Sequence, residues 1–578
     1  MIFRPTDEQE KIIKAFDADD RNILVVARPG RGKTTTALHL AEHIIKNEKI
    51  DAAQQVLFLT FSRNSVYQIK QAGSKNLDKE IQKRLWIATY HSFIWWLISG
   101  FGRFHGLPPK LDVTGKAKAR VIRAAAKDLE IAEDQKCFFS AKEFYSISYD
   151  EFVPLALNLL SKSESLCKAI SHRFPIIIID EFQDTNGEQW ELIKVVSKRS
   201  RLICMADPDQ MIYSWRGACE DRLQQLIDEC NAKKYTLQQK SMRTGEQHLL
   251  DFAESILDDN VASVSIQNEY RKRFLRSYKG KNALGYYLKS IIREFYNDFK
   301  KRNSQERYPT IALAAYSNKM AEDIQEALRR PTPKAPKTYN CGILQGEIDD
   351  SLKELMVHLS LWLAGKDYIE LEQSMQLIGG ILTSDNLKTN DPLASLFSPK
   401  KLIDGSIKPR GATKIILEEF TSNVSQNISS GANALNEAVN TIKRLRKSFK
   451  FICNAIPKME LYSCQNEFIR SLEGQKCVSP LSDLKGLQER LSSEKLQRDV
   501  LETIVPVRGI ISSTLHKLKG REFDYIGIVT VYEDKLRNAN DSEKDARRLM
   551  YMALTRARYD ARVLYLESHP CFLLIPYL

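Results

Sequence analysis

Short unbroken apolar runs recur along the chain, each bounded by polar or glycine-containing turns: ILVVA (23–27), VLFLTF (56–61), IIIID (176–180) and LICMAD (202–207). Runs this short, with no alternation, are the pattern of strands buried on both faces of a parallel sheet. After residue 33, Leu38, Leu40, Ala41, Ile44 and Ile45 recur at near-helical spacing, so a helix follows the first strand. Strand–loop–helix units of this kind predict a doubly wound α/β sheet. A second set, TIALAAY (310–316), YIGIVTV (525–531) and ARVLYLE (561–567), predicts a second α/β lobe.

Both lobes are interrupted by helical sequence. Residues 100–172 carry few strand signals and include GKAKARVIRAAAKDL, rich in strong helix formers. Residues 340–505 are polar and mostly helix-patterned, with a break at NVSQNISSG (423–431). RRPTPKAPK (329–337) leads into that region and reads as a stiff linker. No fixed-period repeat is visible.

Composition narrows the class. The 578 residues suffice for several domains, and 43% hydrophobic with 28% charged residues excludes a disordered or fibrous chain. No apolar run approaches the roughly 18–20 residues that span a bilayer. The N-terminal MIFRPTDEQEKIIKAF places acids where a secretory signal needs an apolar core, so a cytoplasmic protein with no membrane partner is expected. The 10 cysteines include no CxxC pair, which argues against a zinc site. A net charge of +13 favours a polyanionic partner only modestly.

The chemistry starts at ARPGRGKTT (27–35), between a strand and a helix, the context that a phosphate-binding P-loop requires. Its backbone (Ala27, Arg28, Pro29, Gly30, Arg31, Gly32) can wrap a phosphate at a helix N-terminus. Lys33 supplies a point charge and Thr34 a hydroxyl for Mg²⁺. Ala27 stands where the general pattern has its first glycine. In IIIIDEFQD (176–184), Asp180 at a strand end can be the second metal partner and Glu181 the general base for γ-phosphate hydrolysis.

From these residues outward the chain resembles the UvrD/Rep-type superfamily 1A DNA helicases. TDEQ (6–9) resembles the Q motif, TFSRNS (60–65) motif Ia, TYHSF (89–93) motif Ib and DEFQD motif II. ADPDQMIYSWRGA (206–218) resembles motif III, SMRT (241–244) motif IV, STLHKLKGREFD (513–524) motif V and RRLMYMALTRAR (547–558) motif VI. The resemblance implies two RecA-like lobes, each with a mainly helical insertion. Lobe 1A would take 1–99 and 173–225, insertion 1B 100–172, lobe 2A 226–338 and 506–578, and insertion 2B 339–505.

The same resemblance implies residue roles. Gln9 would read the adenine edge, Gln210 sense the γ-phosphate, and Arg243 and Arg556 act as arginine fingers. Gly520 and Glu522 would complete the nucleotide pocket. Phe61, Tyr213 and Trp215 would stack single-stranded DNA bases, while His91, Arg216 and His516 would contact or sense the strand. The cofactors would be ATP and Mg²⁺, and the DNA partners single strands and single-/double-strand junctions.

Several positions depart from the family. Arg28 replaces a P-loop glycine, so its side chain must point away from the phosphates. Met242 and Thr35 replace the residues that normally sandwich adenine, and Arg63 replaces an asparagine. A looser adenine site is the expectation.

Lys116, Arg120, Arg123 and Lys127 fall on one face of a helix in the first insertion, a candidate DNA contact or a solvated stripe. KRLRKSFK (443–450) is a second basic run, read as a soluble face. The divergent 2B region and the short sequence after motif VI resemble the compact helicase subunits of Gabija-type anti-phage systems, which implies an OLD-family nuclease partner.

The expected activity is ATP-dependent 3′→5′ translocation on single-stranded DNA with helicase action. The alternatives are a DNA-end or nucleotide-sensing ATPase module that regulates a nuclease, and a DNA repair helicase.

Overall fold

The computed structural model describes residues 5–18, 21–109, 111–115, 117–122, 146–238, 241, 244–260, 264–279, 283–302, 308–343, 350–383, 392–422, 428–456, 461–462, 464–465, 468–469, 472, 479–500, 509–530 and 543–578. The chain divides into two compact units. One comprises 1–93, 160–344 and 502–578, and the other 94–159 and 345–501.

The first unit holds two parallel sheets. Strands β1 (Asn22–Ala27), β2 (Val56–Thr60) and β3 (Leu85–Thr89) open the first sheet. A short pair, β4 (Asp112–Thr114) and β5 (Ser146–Ser148), lies in the second unit. The first sheet resumes with β6 (Ile176–Ile179), β7 (Arg201–Ala206) and β8 (Ala232–Leu237), in the order β3-β2-β6-β7-β1-β8. The second sheet contains β9 (Leu275–Tyr278), β10 (Ile311–Ala315), β11 (Cys341–Ile343), β12 (Ile510–Thr514), β13 (Phe523–Thr530) and β14 (Ala557–Leu566), ordered β11-β12-β10-β13-β14-β9. Every strand pairing is parallel.

Each apolar run identified in the sequence lies in one of these strands. Ile23, Val25, Val56, Phe58, Ile176, Ile178, Ile203 and Met205 pack one face of the first sheet against Ala37, Leu40, Ala41 and Ile44 of the helix Lys33–Lys46. Their neighbours Leu24, Leu57, Ile177 and Leu202 are buried on the other face. Burial on both faces is why these runs do not alternate. One boundary is corrected: β8, expected in the second lobe from residue 226, pairs with β1 from Asn22↔Ala232 to Ala27↔Leu237 and belongs to the first sheet.

Among the described residues, the second unit is helical apart from β4 and β5. Its core gathers Leu355, Leu359 and Trp362 from Asp350–Gly365, Leu371 and Ile378 from Tyr368–Leu382, and Leu435, Val439 and Ile442 from Gly431–Ser448. The basic run 443–450 is knitted into this fold. Arg444 pairs with Glu419 at 2.8 Å and Glu437 at 3.2 Å, Arg446 donates to Ile456 O, and Lys443 sits 4.6 Å from the Tyr462 ring centroid. Of the four-cation stripe only Arg120 is among the described residues; it is half-buried and donates to Gly380 O at 2.8 Å. Lys116, Arg123 and Lys127 lie outside them. No helix among the described residues is long and apolar enough to cross a membrane.

Candidate nucleotide site and nucleic-acid surface

β1 ends at Ala27, and the chain turns through 28–32 into the helix Lys33–Lys46. Gly30 and Gly32 hold φ of 73° and 87°, the left-handed region that suits glycine. These turns fold the loop over a helix N-terminus, where orphan amides and the helix dipole favour an anion. Lys33 is 9% exposed, and its ammonium donates to Ala27 O at 2.6 Å and Asp207 Oδ2 at 3.1 Å. Its charge is met by the buried carboxylate of Asp207.

Asp180 extends β6 by one residue, its amide donating to Leu59 O at 2.9 Å. The Thr34 hydroxyl donates to Asp180 Oδ2 at 3.3 Å and the Glu181 amide to Oδ1 at 3.1 Å. Burial first, and then the neighbouring Glu181 charge, push the Asp180 carboxyl up; Lys33 offsets this only in part. A buried carboxylate short of positive charge, beside the Thr34 hydroxyl, fits Mg²⁺. That ion takes one or two protein oxygens and leaves the rest of its shell to water and phosphate.

Glu181 has φ 54°, uncommon for a residue with a Cβ and typical of strain held at a working site. It accepts from Gln183 Nε2 at 2.5 Å. Burial pushes its carboxyl up, but Lys519, Lys33 and Arg556 together outweigh burial and hold it below the usual range. Gln183 Oε1 accepts from the Asp207 amide at 2.9 Å, and Gln210 Nε2 donates to Asp207 Oδ2 at 2.6 Å. Arg556, 3% exposed at the end of the helix Glu543–Leu554, donates to Gln210 Oε1. Lys519 donates to Gln210 O at 2.6 Å and pairs with Asp184 Oδ2 at 2.6 Å. The two sheets thus supply opposite walls of one polar cluster.

The structure brings Lys33, Thr34, Asp180, Glu181, Gln210 and Arg556 into one cluster. Gln9 is fully buried beside the loop, accepting from the Thr6 amide at 3.0 Å and donating to Gly32 O at 3.5 Å. Thr35 is half-buried on the same helix. Gly520 has a φ of 71°, and a Cβ there would stand 3.1 Å from the Ser62 and Ser65 hydroxyls. Glu522 is held by Arg558 at 3.3 Å. Met242 and Arg243 lie outside the described residues. The sequence assigns no role to Asp184, Asp207 or Lys519, although each sits inside a quoted motif.

The residues expected to face a DNA strand divide by exposure. Trp215 is 60% exposed, with the Arg216 guanidinium 4.6 Å from its ring centroid and Tyr213 6.3 Å away. Tyr213 packs on the second-sheet core with the Lys519 ammonium 5.1 Å from its ring. Phe61 is half-buried against Tyr90 at 5.2 Å, and His516 against Tyr316 at 6.0 Å, whereas His91 is exposed. Arg63 opens the helix Arg63–Asn76.

Comparison with known proteins agrees with this arrangement. The UvrD/REP helicase N-terminal domain matches residues 6–138 and 123–231, and the UvrD-like helicase C-terminal domain matches 235–568. The ATP-dependent DNA helicase PcrA of Leuconostoc citreum is 21% identical over 641 residues, covering 95% of this chain and 80% of its own. The ATP-dependent DNA helicase Rep of Buchnera aphidicola is 22% identical over 615 residues, covering 94% and 91%. A probable DNA helicase II homolog of Mycoplasma pneumoniae is 23% identical over 629 residues, covering 93% and 80%. A P-loop facing a second parallel sheet, with both domain matches in order along the chain, makes this protein a member of the UvrD/Rep-type superfamily 1 DNA helicases.

Proposed function

We propose that the chain is an ATP-driven motor that moves 3′→5′ along single-stranded DNA and separates duplexes, hydrolysing ATP between its two sheets. The observation that carries this is the surrounding of Glu181 by Lys33 from the first sheet's P-loop and by Lys519 and Arg556 from the second-sheet half. A carboxylate kept ionised in a buried, cation-lined cluster suits a general base that takes a proton from water. The same cations suit charge developing on a phosphoryl group.

In this reading Lys33 and the loop 28–32 hold the phosphates, while Thr34 and Asp180 hold Mg²⁺, which when bound neutralises phosphate charge. Glu181 orients and deprotonates the attacking water. Gln210 links the γ-phosphate position to Arg556, and Arg243 is assigned as the second finger. Gln9, Thr35 and Met242 border the base. Trp215, with Phe61 and Tyr213, stacks the strand; His91, Arg216 and His516 complete the DNA contacts. Gln210 and Trp215 share the segment 207–217, so a change at the phosphate is passed directly to the stacking residue.

Strand displacement from duplexes carrying a 3′ or a 5′ single-stranded tail, with ATP and Mg²⁺, tests the reading. Displacement from the 3′-tailed duplex alone supports it. DNA-stimulated hydrolysis with displacement from neither substrate would favour the sensing module. The place in anti-phage defence beside an OLD-type nuclease rests on the divergent 339–505 region, and co-purification with such a nuclease tests it; a role in repair shares the same motor.

A further inference from the structure

Arg28 lies in the P-loop, but its side chain is directed at acids. Its Nε donates to Asp209 Oδ2 at 3.1 Å, its Nη1 pairs with Glu254 at 3.0 Å and its Nη2 lies 3.7 Å from Asp258. Arg31, three residues on, reaches the same Glu254 at 3.7 Å. Asp209 belongs to the first-sheet turn Pro208–Gln210, next to Gln210, whereas Glu254 and Asp258 belong to the last turn and cap of the helix Gln247–Leu257. That helix packs on the second-sheet core through Leu249, Phe252 and Ile256.

The helix end explains why it takes a guanidinium. Its last turn contains no basic residue. Glu254, Asp258 and the following Asp259 therefore crowd negative charge at the negative pole of the helix, an arrangement that is unfavourable alone. Asp259 is met by Arg547 at 2.8 Å from its own half of the protein. Glu254 and Asp258 are met instead from across the cleft, by the P-loop. Arg28 has a backbone conformation open to any residue, for only Gly30 and Gly32 of the loop have positive φ. A side chain at position 28 is therefore accommodated, and it is directed at the acids.

We infer that Arg28, assisted by Arg31, is a positioning residue that clasps the helix Gln247–Leu257 to the P-loop and holds the nucleotide cleft partly closed before nucleotide arrives. The inference rests on the cleft between the two sheets being the ATP site. Where closure otherwise has to be driven by the bound nucleotide, a preformed clasp raises the fraction of binding-competent molecules and tightens apparent affinity by that factor. The bridge is about one-third exposed on both sides (31% for Arg28, 30% for Glu254), so salt weakens it.

The test is the distance between dyes placed at the exposed positions Lys14 in the first half and Lys279 in the second (79% and 84% exposed), read by single-molecule energy transfer on the full chain without nucleotide. The parent should show mainly a closed population that opens as salt is raised to about 0.5 M, where the screening length is roughly 4 Å. The double variant Glu254→Gln/Asp258→Asn should be open at low salt and insensitive to further salt. ATP should close it again, with KM for ATP raised about three- to tenfold and kcat within about twofold of the parent. Arg28→Gln should open the nucleotide-free cleft from the other side, which covers the case of a double variant that folds poorly. An unchanged nucleotide-free distance in both variants, or a lower Tm with distance and KM unmoved, would overturn the clasp and leave a merely structural bridge. A parent that closes without nucleotide but does not hydrolyse ATP would instead contradict the functional reading while leaving the clasp standing.

Discussion

Lys519 and Asp184 are buried, 7% and 0% exposed at their side chains, and 2.6 Å apart, with Lys519 anchored in addition to Gln210 O. Removing one partner of such a pair strands the other charge in a low-dielectric interior. Lys519→Ala should therefore cost about 3–5 kcal/mol of stability. The neutral pair Lys519→Met/Asp184→Asn should recover much of that loss. Urea unfolding of the single and double variants checks both statements.

Trp215 makes the opposite case, an aromatic left 60% exposed beside a guanidinium. Trp215→Ala should weaken single-strand binding by about 1–3 kcal/mol, because a stacking face is lost. Its salt dependence should barely change, since no phosphate contact is removed. Isotherms across a salt series measure both quantities. That Lys33 starts a helix and that Asp180 and Glu181 follow a strand is legible in the sequence, because both are local features. The sequence could not show that Lys33 pairs with Asp207, or Lys519 with Asp184, since those pairs join distant segments.

Among elements, a close approach in the helical unit brings Gly380, in the helix Tyr368–Leu382, against Ala117. A Cβ at Gly380 would overlap Ala117 O and lie 2.8 Å from its carbonyl carbon. The contact is fastened by Arg120 donating to Gly380 O and by the Ala117 amide donating to Ser351 Oγ at 3.2 Å. Gly380→Ala should therefore cost about 1–3 kcal/mol through overpacking, seen as a lowered Tm. Here glycine is required by proximity, a fact no local pattern carries.

The strands that escaped the sequence reading did so for identifiable reasons. β8 is a sheet edge, and Lys233 and Lys234 are exposed on it, which disguises it as a polar loop while protecting the edge. In β12, Ser512 and Ser513 are buried, with Ser512 Oγ donating to Ala321 O at 2.5 Å. A hydroxyl satisfied by a backbone carbonyl can replace an apolar side chain in the core. Strands buried on both faces, such as β1, β6 and β7, were legible because nothing polar interrupts them.

At the scale of the molecule, the chain leaves and re-enters its α/β unit twice, so segments far apart in sequence assemble the same cleft. That unit places the P-loop and Asp180–Glu181 on one side and Lys519 and Arg556 on the other, with residues 207–217 running from Gln210 to the exposed Trp215. Ser214 at the far end of that segment donates to Asp545 at 3.0 Å, on the helix that leads to Arg556. In the proposed motor this cleft hydrolyses ATP with Glu181 as its base, in response to DNA. The most direct measurement is steady-state ATP hydrolysis by the parent and by Glu181→Gln, with and without single-stranded DNA, alongside equilibrium nucleotide binding. The account predicts DNA-stimulated turnover in the parent, retained ATP binding in Glu181→Gln, and turnover there lowered by about 10²–10⁴-fold. Hydrolysis by Glu181→Gln at the parental rate would contradict it.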